Sequence, residues 1–352
     1  NPSVATPCRF DSGPGHQTLQ NQSLLQSVDN FPEPSRELVN MAKITYIGAG
    51  NVGSQAACAA AISGIGDIVL VDVAEGLAAG KALDIRQAAA LRGVSSQVTG
   101  GTDCALAKDS DIVVITAGLA RRPGMTREDL LERNAAIVTE TTKCVLEHSP
   151  NAILLVVTNP INLMAQLVYE LSGLPRERVI GMAGVLDNAR FRTQVATRGG
   201  FPVNDVETLV AGDHGDLMVP LISQSRVVGR PLVDCLSATQ IEEAIGATRS
   251  GGTEIVNLLK NGSAYFAPGL AVHEIVTSII EDSHRVMCCS TCLNGEYGIE
   301  DIYLGVPVVV GAAGIERVVL HELAETEREA LRQAAEYLKP RKITVSGSLV
   351  IG

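Results

Sequence analysis

Between Lys43 and Val157 short apolar runs recur at regular intervals, separated by longer stretches of helical character. Ile44–Ile47, Ile68–Val71, Asp111–Thr116 and Ile153–Val157 show no alternation of polar and apolar positions, so each predicts a strand buried on both faces. The Ala-rich run after Asn51 and the segment Gly76–Leu91 predict helices between them. Such strands belong in a parallel sheet covered on both sides, which makes the first half a doubly wound α/β domain. From about residue 160 the pattern changes. Longer helices are predicted over Gln240–Leu259 and Leu270–Glu281, with antiparallel-looking strands over Arg285–Leu293 and Ile302–Val310, giving a second, mixed α+β domain. A last helix, Thr326–Leu338, stops before Pro340, because proline cannot continue the hydrogen-bond ladder.

The domains are accordingly read as 41–184 and 185–340. Residues 1–40 are rich in Pro, Ser, Asn and Gln and lack apolar periodicity, and read as a disordered or non-native leader with Met41 as the natural start. Asp11, Asp29, Glu33 and Glu37 make them too acidic for a transit peptide. The tail 341–352 is assigned no role.

Composition narrows the partners. A net charge of −11 with no cluster of Lys or Arg excludes a polyanion such as nucleic acid, while a few buried arginines can still hold a small anion. No stretch approaches the roughly 18 consecutive apolar residues of a membrane span. The eight cysteines show no disulfide-framework spacing and no secretory signal precedes them, which fits a reducing cytoplasm. Cys288, Cys289 and Cys292 contain a C-x-x-C, but a zinc site needs a second pair, so strand packing is expected and no metal.

The first predicted strand runs directly into Gly48-Ala49-Gly50-Asn51-Val52-Gly53, a G-x-G-x-x-G that opens a helix, as the dinucleotide-binding Rossmann turn requires. Gly48 permits the tight turn, Gly50 lets the backbone approach a pyrophosphate, Gly53 lets the helix pack closely, and the helix N-terminus favours the negative charge. The second strand ends at Asp72, a carboxylate placed to accept hydrogen bonds from an adenosine ribose and to repel a 2′-phosphate. NAD is thus favoured over NADP. A carboxylate capping the next helix is the plainer alternative for Asp72.

Further chemistry gathers where strands end. The loop after Gly118 carries Arg121, Arg122 and Arg127 and leads into the helix of Asn134. Such loops bind ligands in doubly wound sheets, although a solvated surface is the common fate of arginine. Val157-Thr158-Asn159-Pro160 ends a buried strand in an amide with both donor and acceptor, held extended by the proline; an ordinary Asx turn would look the same. Gly184-Val185-Leu186-Asp187-Asn188-Ala189-Arg190 sets an acid and a base three residues apart on one helix face, as a surface ion pair would also do. Gly212-Asp213-His214-Gly215-Asp216 places a histidine between glycines after an apolar strand, an unusual setting for a core residue. His214 is the best acid/base candidate of the six histidines.

Taken together and in order, these segments resemble the lactate/malate dehydrogenase family, and within it the lactate-dehydrogenase-like bacterial malate enzymes, from about Met41 to Leu338. The resemblance implies NAD-dependent hydride transfer between malate and oxaloacetate. It implies that His214 donates and accepts the proton and that Asp187 orients it and stabilises its protonated form. Arg190 would grip the carboxylate beside the reacting carbon, and Arg127 would polarise the carbonyl. Arg121 falls where malate enzymes carry an arginine for the second carboxylate and lactate enzymes an uncharged residue. Ala264 agrees, at a position usually polar in lactate enzymes and small in malate enzymes. Asn159 would contact substrate beside the nicotinamide, with Asn134, Val157 and Thr158 along the cofactor. A homodimer or homotetramer is the implied assembly. Asp213 departs from the family's glycine or glutamate, and is expected to turn outward and affect His214 little. A catalytically silent NADH-binding sensor would explain the glycines, but not why Asp187, His214 and the arginines occur together.

Overall fold

The computed structural model describes residues 41–119, 126–260 and 262–343, with only the backbone of Arg127. The parallel half forms in the expected order: β1 (Lys43–Ile47), α1 (Asn51–Ser63), β2 (Asp67–Val71), α2 (Leu77–Leu91), β3 (Val98–Gly101), β4 (Ile112–Ile115), α3 (Arg127–His148), β5 (Ile153–Val156), α4 (Ile161–Ser172) and β6 (Val179–Gly181). The strands lie in the order β3-β2-β1-β4-β5-β6, all parallel, with Ile44 paired to Ile68 on one side and to Ile112 on the other. Strand order reverses between β1 and β4, and their carboxyl ends open a crevice at that switch point. β3 escaped the hydrophobic pattern because it reads Val-Thr-Gly-Gly. Gly100 is required there, since a Cβ would lie 2.3 Å from the Ala78 carbonyl of α2.

The second half continues with α5 (Gly184–Gly199), β7 (Val206–Glu207), β8 (Val210–Gly212), β9 (Met218–Pro220), β10 (Arg226–Val227), β11 (Arg230–Pro231), α6 (Ala238–Leu259), α7 (Phe266–Ile280), β12 (Arg285–Asn294), β13 (Glu300–Gly311), β14 (Gly314–Val318) and α8 (Glu325–Leu338). β12 and β13 pair antiparallel, with Arg285 opposite Val310 and Leu293 opposite Ile302. They do not make a sheet of their own. Ser290 of β12 pairs with Gly181 of β6, so one sheet runs from β3 through β6 and β12 to β13, β8 and β9. One core extends along it from Ile44 to Leu338, and the described residues form one compact unit. A smaller cluster, including Phe191, Val210, Leu232 and Ile241, fills the space between α5, α6 and the short strands.

α4 is the hinge of this arrangement in packing terms. Every residue from Ile161 to Val168 is buried, as expected of a helix with little polar surface. Gln166 Oε1 accepts from the Tyr303 N–H of β13 at 2.9 Å, joining α4 to the second half.

Two cysteine expectations meet different outcomes. Cys288, Cys289 and Cys292 are buried in β12, and burial pushes the thiols of Cys288 and Cys292 up to about 12 and about 11, which suits packing rather than thiolate chemistry. Cys104 and Cys144, whose spacing marks no disulfide framework, are joined as a disulfide with Cα atoms 6.4 Å apart. A sequence separation of 40 hides the pairing, but α3 packs over the turn that carries Cys104. Among the described residues no helix is long and apolar enough to cross a membrane.

Candidate active site

The glycine turn has the space its sequence requires. Gly48 adopts φ +106°, and a Cβ there would lie 2.7 Å from Thr116 Oγ1. A Cβ on Gly53 would lie 2.0 Å from the Gly48 carbonyl oxygen, so α1 can press onto the turn only with glycine at that position. A Cβ on Gly50 would meet no protein atom within 4 Å, which leaves that backbone open to an approaching phosphate. Gly50 is also the N-cap of α1 and offers no side-chain hydrogen bond, so the first N–H groups of the helix remain available to an anion. Asn51 is exposed and Val52 half-buried at the mouth of this turn, while Ala49 is buried.

Asp72 sits beside it. Its Oδ2 accepts from the Ala49 N–H at 2.7 Å and its Oδ1 from the Ala74 N–H at 2.9 Å. These bonds orient the carboxylate and leave each oxygen a further lone pair for a ribose hydroxyl. Helix capping does not explain Asp72, because the N-cap of α2 is Gly76. The donor pattern and the open approach at Gly50 together fit a dinucleotide.

Opposite, the ends of β4 and β5 are laced together. Thr158 Oγ1 donates to the Ala117 carbonyl at 2.7 Å, the Val157 N–H donates to Ile115 O at 2.9 Å, and Gly118 is needed because a Cβ there would lie 2.5 Å from Thr158 Cγ2. Asn134 is fully buried. It accepts from the Leu119 N–H at 2.8 Å and donates to the Asn159 carbonyl at 2.7 Å, acting as a strut between the two loop ends. Asn159 itself is exposed, joined to Pro160 by a cis peptide bond.

The acid/base machinery comes from two other elements. Gly184 starts α5, and a Cβ there would lie 2.3 Å from Val210 O and 2.4 Å from Cys288 Cβ, so only glycine lets the helix begin hard against β8 and β12. That contact carries Asp187, in the first turn of α5, to the loop after β8. His214 Nδ1 lies 2.8 Å from Asp187 Oδ2, and Arg190 Nη1 donates to Asp187 Oδ1 at 3.2 Å. A carboxylate only accepts, so Nδ1 carries the proton and Nε2 is the free end of the ring. The side chains of Asp187, His214 and Arg190 are 2, 16 and 18% exposed, so the carboxylate is sealed while both its partners still reach solvent. Gly251 and Gly252 of α6 lie alongside the Arg190 guanidinium. Burial pulls the His214 pKa down, but the Asp187 charge and hydrogen bond outweigh it and the net shift is upward; Arg190 opposes and Asp213 adds a little.

Asp213 does not turn outward. It is half-buried, and its Oδ1 accepts from Asn162 Nδ2 at 2.8 Å. Burial pushes its carboxyl up, against the opposing effects of His214 and the Asn162 hydrogen bond. Its partner is 51 residues away, on a helix whose approach the local sequence does not reveal. The Asn162 contact is one that motif reading missed, a polar residue in the first turn of an otherwise apolar helix being the one available signal, and Gly184, quoted only as the start of its segment, proves to have a packing role of its own. Arg121 and Arg122 lie outside the described residues, as does the Arg127 side chain, while the Arg127 backbone opens α3 behind a Thr126–Asp129 capping box. Ala264 is half-buried just ahead of α7.

Known proteins match along the same extent. The sequence profile of the lactate/malate dehydrogenase NAD binding domain matches residues 42–181, and that of the alpha/beta C-terminal domain of the same family matches residues 184–346. The malate dehydrogenase of Chlorobium chlorochromatii is 46% identical over 298 residues, covering 84% of this chain and 96% of that protein. The malate dehydrogenase of Cryptosporidium parvum superposes with a TM-score of 0.82 at 40% identity, over 85% of this chain and 97% of that one. The lactate dehydrogenase of the same organism, complexed with lactic acid and nicotinamide adenine dinucleotide, superposes with a TM-score of 0.82 at 37% identity, over 85% and 96%. Two domain profiles matched end to end, with identity held across nearly all of the described chain, make this chain a member of the lactate/malate dehydrogenase family.

Proposed function

We propose that this chain catalyses the reversible, NAD-dependent interconversion of (S)-malate and oxaloacetate. The observation that carries the reading is the sealed carboxylate of Asp187 held between an imidazole and a guanidinium, an acid/base group and an anion grip built on one support. NAD, held by the Gly48–Gly53 turn and Asp72, supplies the hydride acceptor in one direction and, reduced, the donor in the other. His214 takes the substrate hydroxyl proton at Nε2 and returns it when a carbonyl is reduced. Asp187 keeps the ring in the tautomer that can do so and stabilises its protonated form. Arg190 presents a planar fork to the carboxylate next to the reacting carbon.

Arg127 is assigned to polarise the carbonyl and Arg121 to bind the second carboxylate, both on the strength of the sequence resemblance. Arg121 decides the substrate. An arginine left facing the methyl group of pyruvate would be a charge without a partner, at a cost of several kcal/mol. Relatives named malate dehydrogenase at 46% identity support this choice, whereas the shared fold does not distinguish it from lactate dehydrogenases. Asn159 meets the substrate from the cofactor side. A homodimer or homotetramer completes the reading, consistent with exposed Leu83 and Leu91 on α2 and Leu258 and Leu259 on α6, and sedimentation would give the subunit number.

The test is the initial rate of NADH oxidation with oxaloacetate or pyruvate at matched concentrations, with NADPH as the cofactor control. A preference for oxaloacetate and NADH by orders of magnitude supports the assignment. Comparable turnover of pyruvate would move it to a lactate dehydrogenase, and tight NADH binding without turnover would leave a silent sensor.

A further inference from the structure

We infer that Asp213 is a positioning residue, tying the His214 loop through Asn162 to the first turn of α4 and so holding the imidazole in register with the cofactor-binding half. This rests on the reaction proposed above and adds a residue to it.

His214 stands in the connection between β8 and β9, next to Gly215 at φ +142° and two residues after Gly212 at φ +87°. Neither glycine has a side chain with which to anchor the loop. Its own backbone bonds are long: the Asp213 N–H reaches Leu217 O at 3.2 Å and the Met218 N–H reaches Gly215 O at 3.3 Å. Asp187 fixes the ring at Nδ1 from the α5 side, but one hydrogen bond leaves the ring free to swing about that point when the loop moves. The Asp213 carboxylate supplies a second fixed point from another direction, accepting from Asn162 Nδ2 at 2.8 Å.

Its anchor is rigid. Asn162 is 1% exposed and lies in α4, which packs against β6 of the first half and against β12 and β13 of the second. Asn162 follows Pro160 by two residues, so the tether also ends near Asn159, the residue assigned to the substrate from the cofactor side. A second observation is the Asn162 Oδ1 atom, which is buried and has no hydrogen-bond partner. An unpaired buried carbonyl is unfavourable, and an apolar side chain would pack at that site without it. The amide is explained by what its other end does, which is to hold Asp213.

The experiment compares Asp213→Ala, Asp213→Asn, Asn162→Ala and the Asp213→Ala/Asn162→Ala double variant of the full chain, with thermal melting and NADH fluorescence titration as checks on folding. Losing a charge-assisted bond that sets the acid/base group should lower kcat with oxaloacetate by about tenfold or more in Asp213→Ala, with NADH affinity within about twofold of wild type. Asp213→Asn should retain kcat within about threefold, because its amide oxygen still accepts and its NH₂ can meet the orphaned Asn162 Oδ1. Asn162→Ala should resemble Asp213→Ala, and the double variant should be no worse than either single one. Wild-type kcat in Asp213→Ala, equal damage in Asp213→Asn and Asp213→Ala, or losses that multiply in the double variant would each overturn the tether. Active wild type with an unaffected Asp213→Ala refutes this inference alone; wild type inactive on oxaloacetate removes the proposed function and this inference with it.

Discussion

Replacing Asp187 by Asn keeps the shape of the side chain and removes its charge. The carboxylate is 2% exposed and stands 2.8 Å from His214 Nδ1, so little water screens the pair. Two unit charges about 4 Å apart at an effective dielectric constant near 20 interact by about 4 kcal/mol, which sets a ceiling. His214 keeps 16% of its side chain exposed, and a charge-assisted hydrogen bond in such a setting is worth about 1.5–3 kcal/mol. At about 1.4 kcal/mol per decade, kcat should fall about 10- to 100-fold. The neutral amide can also present its NH₂ to Nδ1, which would place the ring proton on Nε2 and spoil its use as a base. The assay is the pH dependence of kcat/KM for oxaloacetate reduction, which needs protonated His214 and falls as pH rises through its pKa. Asp187 is the main cause of the raised value, so the variant's falling limb should move to lower pH. A limb that stays in place, or a kcat within twofold of wild type, would refute the role given to Asp187. Stability follows the same sign. A histidine raised in the folded state contributes stabilisation that is complete below its unfolded pKa of about 6.5 and is lost as pH rises through the folded value. Urea melts of Asp187→Asn should lack that dependence.

The second and third glycines of the turn make opposite predictions. Gly53→Ala sets a Cβ 2.0 Å from a backbone oxygen and should lower stability by about 1–3 kcal/mol together with NADH affinity, read by melting and fluorescence titration. Gly50→Ala meets no protein atom within 4 Å and should melt like wild type yet bind NADH at least about tenfold more weakly; unchanged affinity would remove the pyrophosphate from that site. Arg190→Lys loses the two-pronged donor and should raise KM for oxaloacetate by about tenfold or more with NADH affinity intact, measured by steady-state kinetics. Arg121→Gln should shift the ratio of kcat/KM toward pyruvate, and an unchanged ratio would withdraw Arg121 from the second carboxylate.

Much of this protein is legible in its order of residues because the relevant physics is local. Buried strands announce themselves by unbroken apolar runs, and Gly48, Gly50 and Gly53 by conformational and spatial demands confined to one turn. The three-residue spacing of Asp187 and Arg190 holds because a helix puts them on one face. What tertiary structure alone decided lies between segments. The sequence divides near residue 184, yet Ser290 and Gly181 join both halves into one sheet. Cys104 finds Cys144, and Asn134 turns out to be a buried strut between loop ends. Asp213, expected to face outward, is held by Asn162, and Asp187 reaches His214 only because Gly184 lets α5 start against β8. Side-chain partners far apart in sequence are set by which faces meet when the core closes, and that is a property of the packed whole rather than of any window along the chain.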